Sequence, residues 1–265
     1  MKLDPHHREL GDVKGRTVLV TGASSGIGAA VVQSLLSRGA KVHAVARRRE
    51  ELESVGAEYV SSGSYVAHVL NVADRAAVEQ LLTELADTDP IDTLVLAAGR
   101  NINPRTFGEI DSDAWDDLID VNLNGAFYFL RGALPQLRES NGDAVLISSV
   151  AALWPDHSGA AYQASKAGML GLARGAARDE HANGVRITSI LPGVVNTPIV
   201  DRRPTPPPQE LRRWFIQPED VAQATLSAIT MPGRTTVSEV TLTATRLQSI
   251  GNTQQATPSL PDGID

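Results

Sequence analysis

Tyr162 and Lys166 stand four residues apart in Tyr162-Gln163-Ala164-Ser165-Lys166, a stretch with helical spacing. Side chains at i and i+4 share one helix face. A free phenol has a pKa of about 10, too high to exchange protons readily near neutrality. An ammonium close by stabilises the phenolate and lowers that value. The pair therefore reads as a proton donor and acceptor, most effective when its pKa approaches the working pH. The bland alternative is a surface pair. Against it, Tyr162 and Lys166 are the one Tyr-x-x-x-Lys pair in a chain with only four Tyr. Upstream, Leu146-Ile147-Ser148-Ser149 ends an apolar run with two hydroxyls. A serine there can donate a hydrogen bond to an oxygen on which negative charge develops. Ser149 is the favoured donor and Ser148 the competing assignment.

A second constellation is Thr21-Gly22-Ala23-Ser24-Ser25-Gly26-Ile27-Gly28. It lies between an apolar run and a helical pattern. Gly22 permits a tight turn, Gly26 lets backbone approach a pyrophosphate, and Gly28 lets the helix pack close to the strand. The helix start then presents free N–H groups and partial positive charge to the phosphates. Ser24, Ser25 and Ile27 belong to the same turn.

These residues need a frame. Apolar runs at 17–20, 41–45, 65–70, 93–97, 144–147, 185–191 and 237–242 read as strands. Helical patterns at 27–36, 78–85, 113–137, 160–177 and 218–229 fall between them, with the long 113–137 stretch open to a kink. Strands alternating with helices imply parallel βαβ units with right-handed crossovers. Continuous apolar strands imply helices on both sheet faces. Ligands in such sheets bind beyond the C-terminal strand ends. The expected architecture is one α/β, doubly wound domain over 15–250 with a seven-stranded parallel sheet. Residues 1–14 read as a polar arm and 251–265 as a loose tail. The segment 199–217 is rich in Pro and Arg and breaks the rhythm.

Composition narrows the function classes. The chain has 265 residues and a net charge of −7. An acidic chain is a poor partner for nucleic acid. It has no Cys, which removes disulfides, thiolate metal sites and cysteine nucleophiles. No apolar run approaches the roughly 18 residues of a membrane helix. The first residues lack the apolar core of a signal peptide. No metal or membrane partner is expected, and a cytoplasmic location is.

The spacing Gly-x-x-x-Gly-x-Gly, followed downstream by Ser149, Tyr162 and Lys166, resembles the short-chain dehydrogenase/reductase family. The resemblance runs from about residue 15 to about residue 200 and implies a Rossmann-type fold. In a dinucleotide fold, an acid at the end of the second strand bonds the ribose of NAD, whereas an Arg accommodates the 2′-phosphate of NADP. Here that position is Ala46, followed by Arg47 and Arg48. A guanidinium suits a phosphate, so NADP(H) is the expected cofactor. The plainer alternative is a solvated helix start.

The resemblance implies further roles. Asn71-Val72 stands where the family usually has Asp-Val at the adenine. Ala98-Gly99 follows Leu96-Ala97, where the family often has two asparagines. Pro192, Gly193, Val195 and Thr197 match the segment that holds the nicotinamide carboxamide. Lys166 also binds the nicotinamide ribose. Asn122 matches an asparagine that kinks a helix and links Lys166 to solvent through a water, with Asn124 as its rival. Family substrates sit over the nicotinamide beneath a loop, here about 199–217. Arg100, Asn101, Trp154, His157 and Trp214 are candidate pocket walls, each with a surface role as its equal alternative. Arg202, Arg203, Arg212 and Arg213 read as a solvated basic loop more readily than as an anion site. The segment 237–245 lacks the common closing Asp-Gly-Gly and resembles a branch of aldehyde and ketone reductases.

The expectation is an NADP(H)-dependent oxidoreductase interconverting a small carbonyl compound and an alcohol, with Asn122, Ser149, Tyr162 and Lys166 as the catalytic set. Family members are commonly dimers or tetramers through the long helices. The rivals are a non-catalytic NADP-binding regulator, which usually lacks the Tyr or Lys, and an epimerase or dehydratase, which usually has a larger substrate domain.

Overall fold

The computed structural model describes residues 12–251. Most of the expected arm and tail therefore lies outside the described residues. Seven strands form where the apolar runs predict them: β1 (Thr17–Thr21), β2 (Lys41–Ala46), β3 (Tyr65–Val69), β4 (Thr93–Leu96), β5 (Asp143–Ile147), β6 (Arg186–Pro192) and β7 (Glu239–Leu242). They pair in parallel in the order β3-β2-β1-β4-β5-β6-β7.

Among the described residues eight α-helices accompany the sheet: α1 (Gly26–Leu36), α2 (Arg49–Val55), α3 (Arg75–Thr88), α4 (Ser112–Ile119), α5 (Gly125–Ser140), α6 (Ala160–Glu180), α7 (Gln209–Arg212) and α8 (Pro218–Ile229). Val18 and Val20 of β1 bury against Val31 and Leu35 of α1 and Leu226 of α8. Leu19, between them, points the other way, to Leu82 of α3, Phe129 of α5 and Met169 of α6. Both strand faces are therefore dry, which is why the strands read as unbroken apolar runs. Local chemistry sets the helix starts. The Asp74 carboxylate accepts the Ala77 N–H at the head of α3, and Asp111 does the same for Ala114 in α4. Pro218 opens α8 behind a capping box of Gln217 and Asp220.

The strand order reverses between β1 and β4, so the loops after these strands diverge and leave a cleft at their C-terminal ends. The opposite end is closed by charge. Asp143 at the start of β5 takes a bidentate pair from Arg186 of β6, at 2.7 and 3.0 Å, and a third bond from Arg16 at 3.0 Å. No helix among the described residues is long and apolar enough to cross a membrane.

Three elements differ from expectation. The helix predicted over 113–137 is two helices, α4 and α5, joined by a π-turn at Asp120–Asn124. Helix α2 is anticipated only as an alternative, a solvated helix start after Ala46 with no end assigned. It is short and charged, with Leu52 its one buried residue, so it offers no apolar periodicity to read. The 199–217 segment is partly ordered, with a 3₁₀ turn at Val200–Arg202 ahead of α7.

Candidate active site

The cleft has a volume of ≈ 870 Å³ and runs from the glycine turn past the ends of β4, β5 and β6. Gly22, Ser24, Ser25, Gly26, Ile27 and Gly28 line one end. The glycines are there for space. Gly22 has φ +67°, and a Cβ on it would stand 2.7 Å from the Ala98 backbone. A Cβ on Gly28 would collide with the Gly22 carbonyl oxygen. Any larger residue would force β1 and α1 apart or push the turn into the cleft. The Thr21 hydroxyl also accepts the Ala98 N–H at 3.2 Å, tying the loops after β1 and β4 together.

Arg47 and Arg48 reach the same end, just past Ala46. Arg48 donates to the Ser24 and Ser25 hydroxyls at 3.0 and 2.8 Å and pairs with Glu51 at 3.1 Å. Val72, Ala98 and Gly99 line the wall beyond. Asn71 does not. Its carboxamide oxygen turns back to accept the Ala73 N–H at 3.3 Å, while the neighbouring Leu70 and Val72 face the cleft. Pro192, Gly193, Val195 and Thr197 form the opposite wall. A Cβ on Gly26 would touch the Thr197 methyl at 3.0 Å, so the two walls nearly meet there.

At the other end the structure brings Ser149, Tyr162 and Lys166 together. Ser149 sits just past β5, its hydroxyl accepting the Ala151 N–H at 3.1 Å and donating to the Pro192 carbonyl at 3.5 Å. Ser148, the competing serine, is committed elsewhere: its hydroxyl donates to the Lys166 carbonyl at 2.9 Å inside the fold. Lys166 is 4 % exposed, and its ammonium donates to the Ile147 carbonyl at 2.9 Å. That ammonium lies 5.8 Å from the centre of the Tyr162 ring. Gly99 lets it in, since a Cβ there would stand 3.3 Å from Nζ.

The electrostatics differ from the simple expectation. Loss of water pushes the Tyr162 phenol up to about 12; the nearby Ser149 hydroxyl and the charges of Arg105 and Arg203 pull it back, and Asp156 opposes them. Burial alone brings Lys166 down to about 8. With the Lys166 ammonium turned to a carbonyl, the phenol is not made acidic in the protein by itself.

Asn122 lies in the π-turn and is fully buried behind the cleft wall. Its carboxamide accepts the Arg100 N–H at 2.8 Å, and donates to the Arg100 carbonyl and the Ser165 hydroxyl, each at 3.0 Å. Its rival Asn124 bonds Asp120 on the surface. Asn122 thus joins the loop after β4 to α6, between Tyr162 and Lys166.

Of the five pocket-wall candidates, Arg100, Asn101 and His157 line the cleft, and Trp154 and Trp214 do not. Trp214 instead carries the guanidinium groups of Arg213 and Arg246 over its ring, at 5.4 and 5.5 Å. Trp154 follows the 3₁₀ turn Val150–Ala152, its N–H bonded to the Val150 carbonyl at 3.0 Å. Sequence reasoning passed over Arg105, Asp156 and Arg246, all of which line the cleft. They sit in irregular loops, where no periodicity marks which way a side chain points.

Residues 16–207 match the family model described as short chain dehydrogenase. An uncharacterized oxidoreductase of Staphylococcus aureus (strain USA300) is 33% identical over 230 residues, covering 86% of this chain and 96% of that protein. Another, of Staphylococcus haemolyticus (strain JCSC1435), is 29% identical over 233 residues, covering 87% and 98%. Among solved structures, a metagenomic short-chain oxidoreductase in complex with NADP superimposes with a TM-score of 0.75 at 31% identity, covering 87% of this chain and 97% of that one. The chain belongs to the short-chain dehydrogenase family and is an oxidoreductase.

Proposed function

We propose that the chain is an NADP(H)-dependent oxidoreductase that interconverts a ketone or aldehyde and the corresponding alcohol. The observation that carries this reading is that Ser149, Tyr162 and Lys166 line the same cleft as the glycine turn, with the Lys166 ammonium 5.8 Å from the Tyr162 ring. The cofactor fits the residues present. Gly22 and Gly28 have no room for a side chain against the neighbouring backbone, and Gly26 opens the same turn to the cleft, where a pyrophosphate can meet the start of α1. The strand end carries Ala46 and two arginines rather than an acid, which favours a ribose 2′-phosphate over a free hydroxyl. The NADP-bound relative supports the same choice.

When bound, the nicotinamide supplies or takes up a hydride. The chain's own residues handle the proton and the developing charge. Tyr162 gives its phenolic proton to the carbonyl oxygen during reduction and takes it back during oxidation. Ser149 donates to the same oxygen and stabilises negative charge on it. Lys166 places positive charge beneath the phenol, and Asn122 fixes the loop and helix that hold Lys166 in register. Cytoplasmic residence and assembly as a dimer or tetramer belong to the same reading.

The test is a panel of ketones and aldehydes followed by loss of NADPH absorbance, with NADH in parallel. Turnover that is faster with NADPH and collapses in Tyr162→Phe, while NADPH still binds, is the expected result. Tight NADPH binding with no turnover of any carbonyl would favour the regulator instead.

A further inference from the structure

Part of the cleft lies beyond the stretch shared with the family. The family match ends at residue 207, yet Thr245, Arg246, Leu247, Gln248 and Ser249, which follow β7, also line the cleft. The chain turns sharply there. The Leu247 and Gln248 N–H groups both donate to the Ala244 carbonyl, at 2.9 and 2.8 Å. Ala244 is buried in the core cluster that holds Val18 and Val20, and Leu247 packs against the same cluster. Two apolar side chains thus anchor a polar turn at the mouth of the sheet.

The turn aims Gln248 at the end of β6. Its carboxamide oxygen accepts the Val194 N–H at 2.9 Å and, at 3.4 Å, the Ala244 N–H. Gly193 makes room for it, since a Cβ there would collide with the Gln248 carboxamide. Backbone alone holds the neighbouring groups. The Gly193 N–H donates to the Leu242 carbonyl at 2.8 Å, and the Asn196 N–H donates to the Ile216 carbonyl at 2.8 Å. The Val194 N–H depends on a side chain instead, one that a single substitution removes. Val194 is buried, so losing that acceptor leaves a donor unpaired away from water.

The segment from Pro192 to Thr197 spans the working length of the cleft. At one end the Ser149 hydroxyl donates to the Pro192 carbonyl at 3.5 Å. At the other, a Cβ on Gly26 of the glycine turn would touch the Thr197 methyl at 3.0 Å. A dinucleotide with its pyrophosphate at the glycine turn delivers hydride beside Tyr162 only if its redox ring lies between these two ends. Gly193 and Val194 are in that interval. Hydride transfer depends on close placement of the reacting atoms, so a wall that shifts there shifts the ring.

We propose that Gln248 is a positioning residue for the nicotinamide, its carboxamide oxygen fixing the Gly193–Val194 wall on which the ring rests. The proposal rests on the NADP(H) reading above and adds to it a residue from the far end of the chain. Gln248 acts through the Val194 backbone, not on the reacting atoms. Without its oxygen the wall is free to move, and the cost of ordering it is charged against binding of the ring.

Calorimetry on the full-length protein tests this with two ligands. One is NADPH; the other is 2′-phospho-ADP-ribose, which keeps the phosphates and riboses and lacks the nicotinamide. Gln248→Met keeps the length of the side chain and removes the accepting oxygen, whereas Gln248→Glu keeps an accepting oxygen. Gln248→Met should weaken NADPH about tenfold, the weight of one unpaired buried donor, and change 2′-phospho-ADP-ribose by less than about twofold. Gln248→Glu should bind NADPH within about threefold of the wild type. Equal weakening of both ligands would mean general damage to the cleft. Unchanged NADPH binding in Gln248→Met would mean that the wall needs no side chain. A Gln248→Glu variant no better than Gln248→Met would mean that the oxygen is not what holds it. Each of these results overturns the role of Gln248 and leaves the NADP(H) reading intact. Wild-type protein that binds neither ligand overturns the cofactor reading, and the role of Gln248 with it.

Discussion

The Lys166 ammonium stands 5.8 Å from the centre of the Tyr162 ring and gives a hydrogen bond to the Ile147 carbonyl, not to the phenol. The two groups share one buried site without a direct hydrogen bond between them. Burial drives their pKa values apart, the phenol up to about 12 and the ammonium down to about 8.

That geometry sets a pH dependence. Reduction needs the protonated phenol, which persists throughout the neutral range, so kcat/KM for reduction should stay level from about pH 6 to about pH 8. Oxidation needs the phenolate and should rise with pH over the same interval. The rise should flatten beyond about pH 8, where Lys166 loses the charge that favours phenolate. A tenfold fall in the reduction rate between about pH 6 and about pH 8 would show the phenol titrating there and would contradict this assignment. Replacing Tyr162 by Phe should lower kcat by about 10²–10⁴-fold at any pH in the range.

Cofactor choice should depend on Arg47 and Arg48. Hydrogen bonds to a charged group contribute about 1.5–3 kcal/mol each. Arg47→Asp should therefore raise KM for NADPH by roughly 10–100-fold and shift the ratio of specificity constants toward NADH. Arg48→Ala should act on both cofactors, because Arg48 also fastens Ser24 and Ser25 of the phosphate turn. An unchanged ratio in Arg47→Asp would remove the assignment of NADP(H).

Asn122→Ala should destabilise the fold. It strips partners from the Arg100 N–H, the Arg100 carbonyl and the Ser165 hydroxyl in a dry place. Leaving one such group unpaired costs about 1–3 kcal/mol, which urea unfolding would read as a lower midpoint. Asn122→Asp keeps an acceptor for the Arg100 N–H and should recover part of the loss.

Acidification should weaken the protein through a second buried cluster, remote from the cleft. His43 on β2 is hydrogen-bonded to His68 on β3 at 2.9 Å and to Asp89 after α3 at 2.7 Å, and Lys41 pairs with the same Asp89. Burial, and then the charge of His43, hold His68 down at about 4 against an ordinary 6.5. Between those values the unfolded chain binds a proton at His68 that the folded chain does not. Stability therefore falls as pH drops from about 6.5 toward about 4. His68→Gln should flatten that slope in thermal or urea unfolding, and a slope unchanged by the substitution would assign it to other groups.

Much of the frame was legible because both sheet faces are covered. Strands such as Thr17-Val18-Leu19-Val20 had to be apolar throughout, and a reader needs no partner to see it. That Tyr162, Lys166 and Ser149 meet in one cleft was legible from their helical spacing and from the place of Ser149 at the end of an apolar strand. What escaped was set by long-range packing. The polar helix α2 packs on the core through Leu52 and the partly buried Val55. Arg105 is aimed by a carbonyl nearly a hundred residues away, that of Arg202. Trp214 looked like a pocket wall because it is large and aromatic, but the basic side chains of Arg213 and Arg246 cover it instead.

The wide turn at Asp120–Asn124 lets one rod of helix serve two contacts. Each residue advances an α-helix by about 100°, so a single extra residue in a turn rotates everything after it by roughly that much. Before the turn, Leu118 of α4 presses on Ala161 of α6, next to Tyr162; after it, Phe129 of α5 presses on the sheet and α3. Deleting one residue there would restore an even helix and swing one of those two faces out to water. The pivot is where Asn122 stands, so the phase of the rod and the seat of Lys166 are fixed by the same five residues.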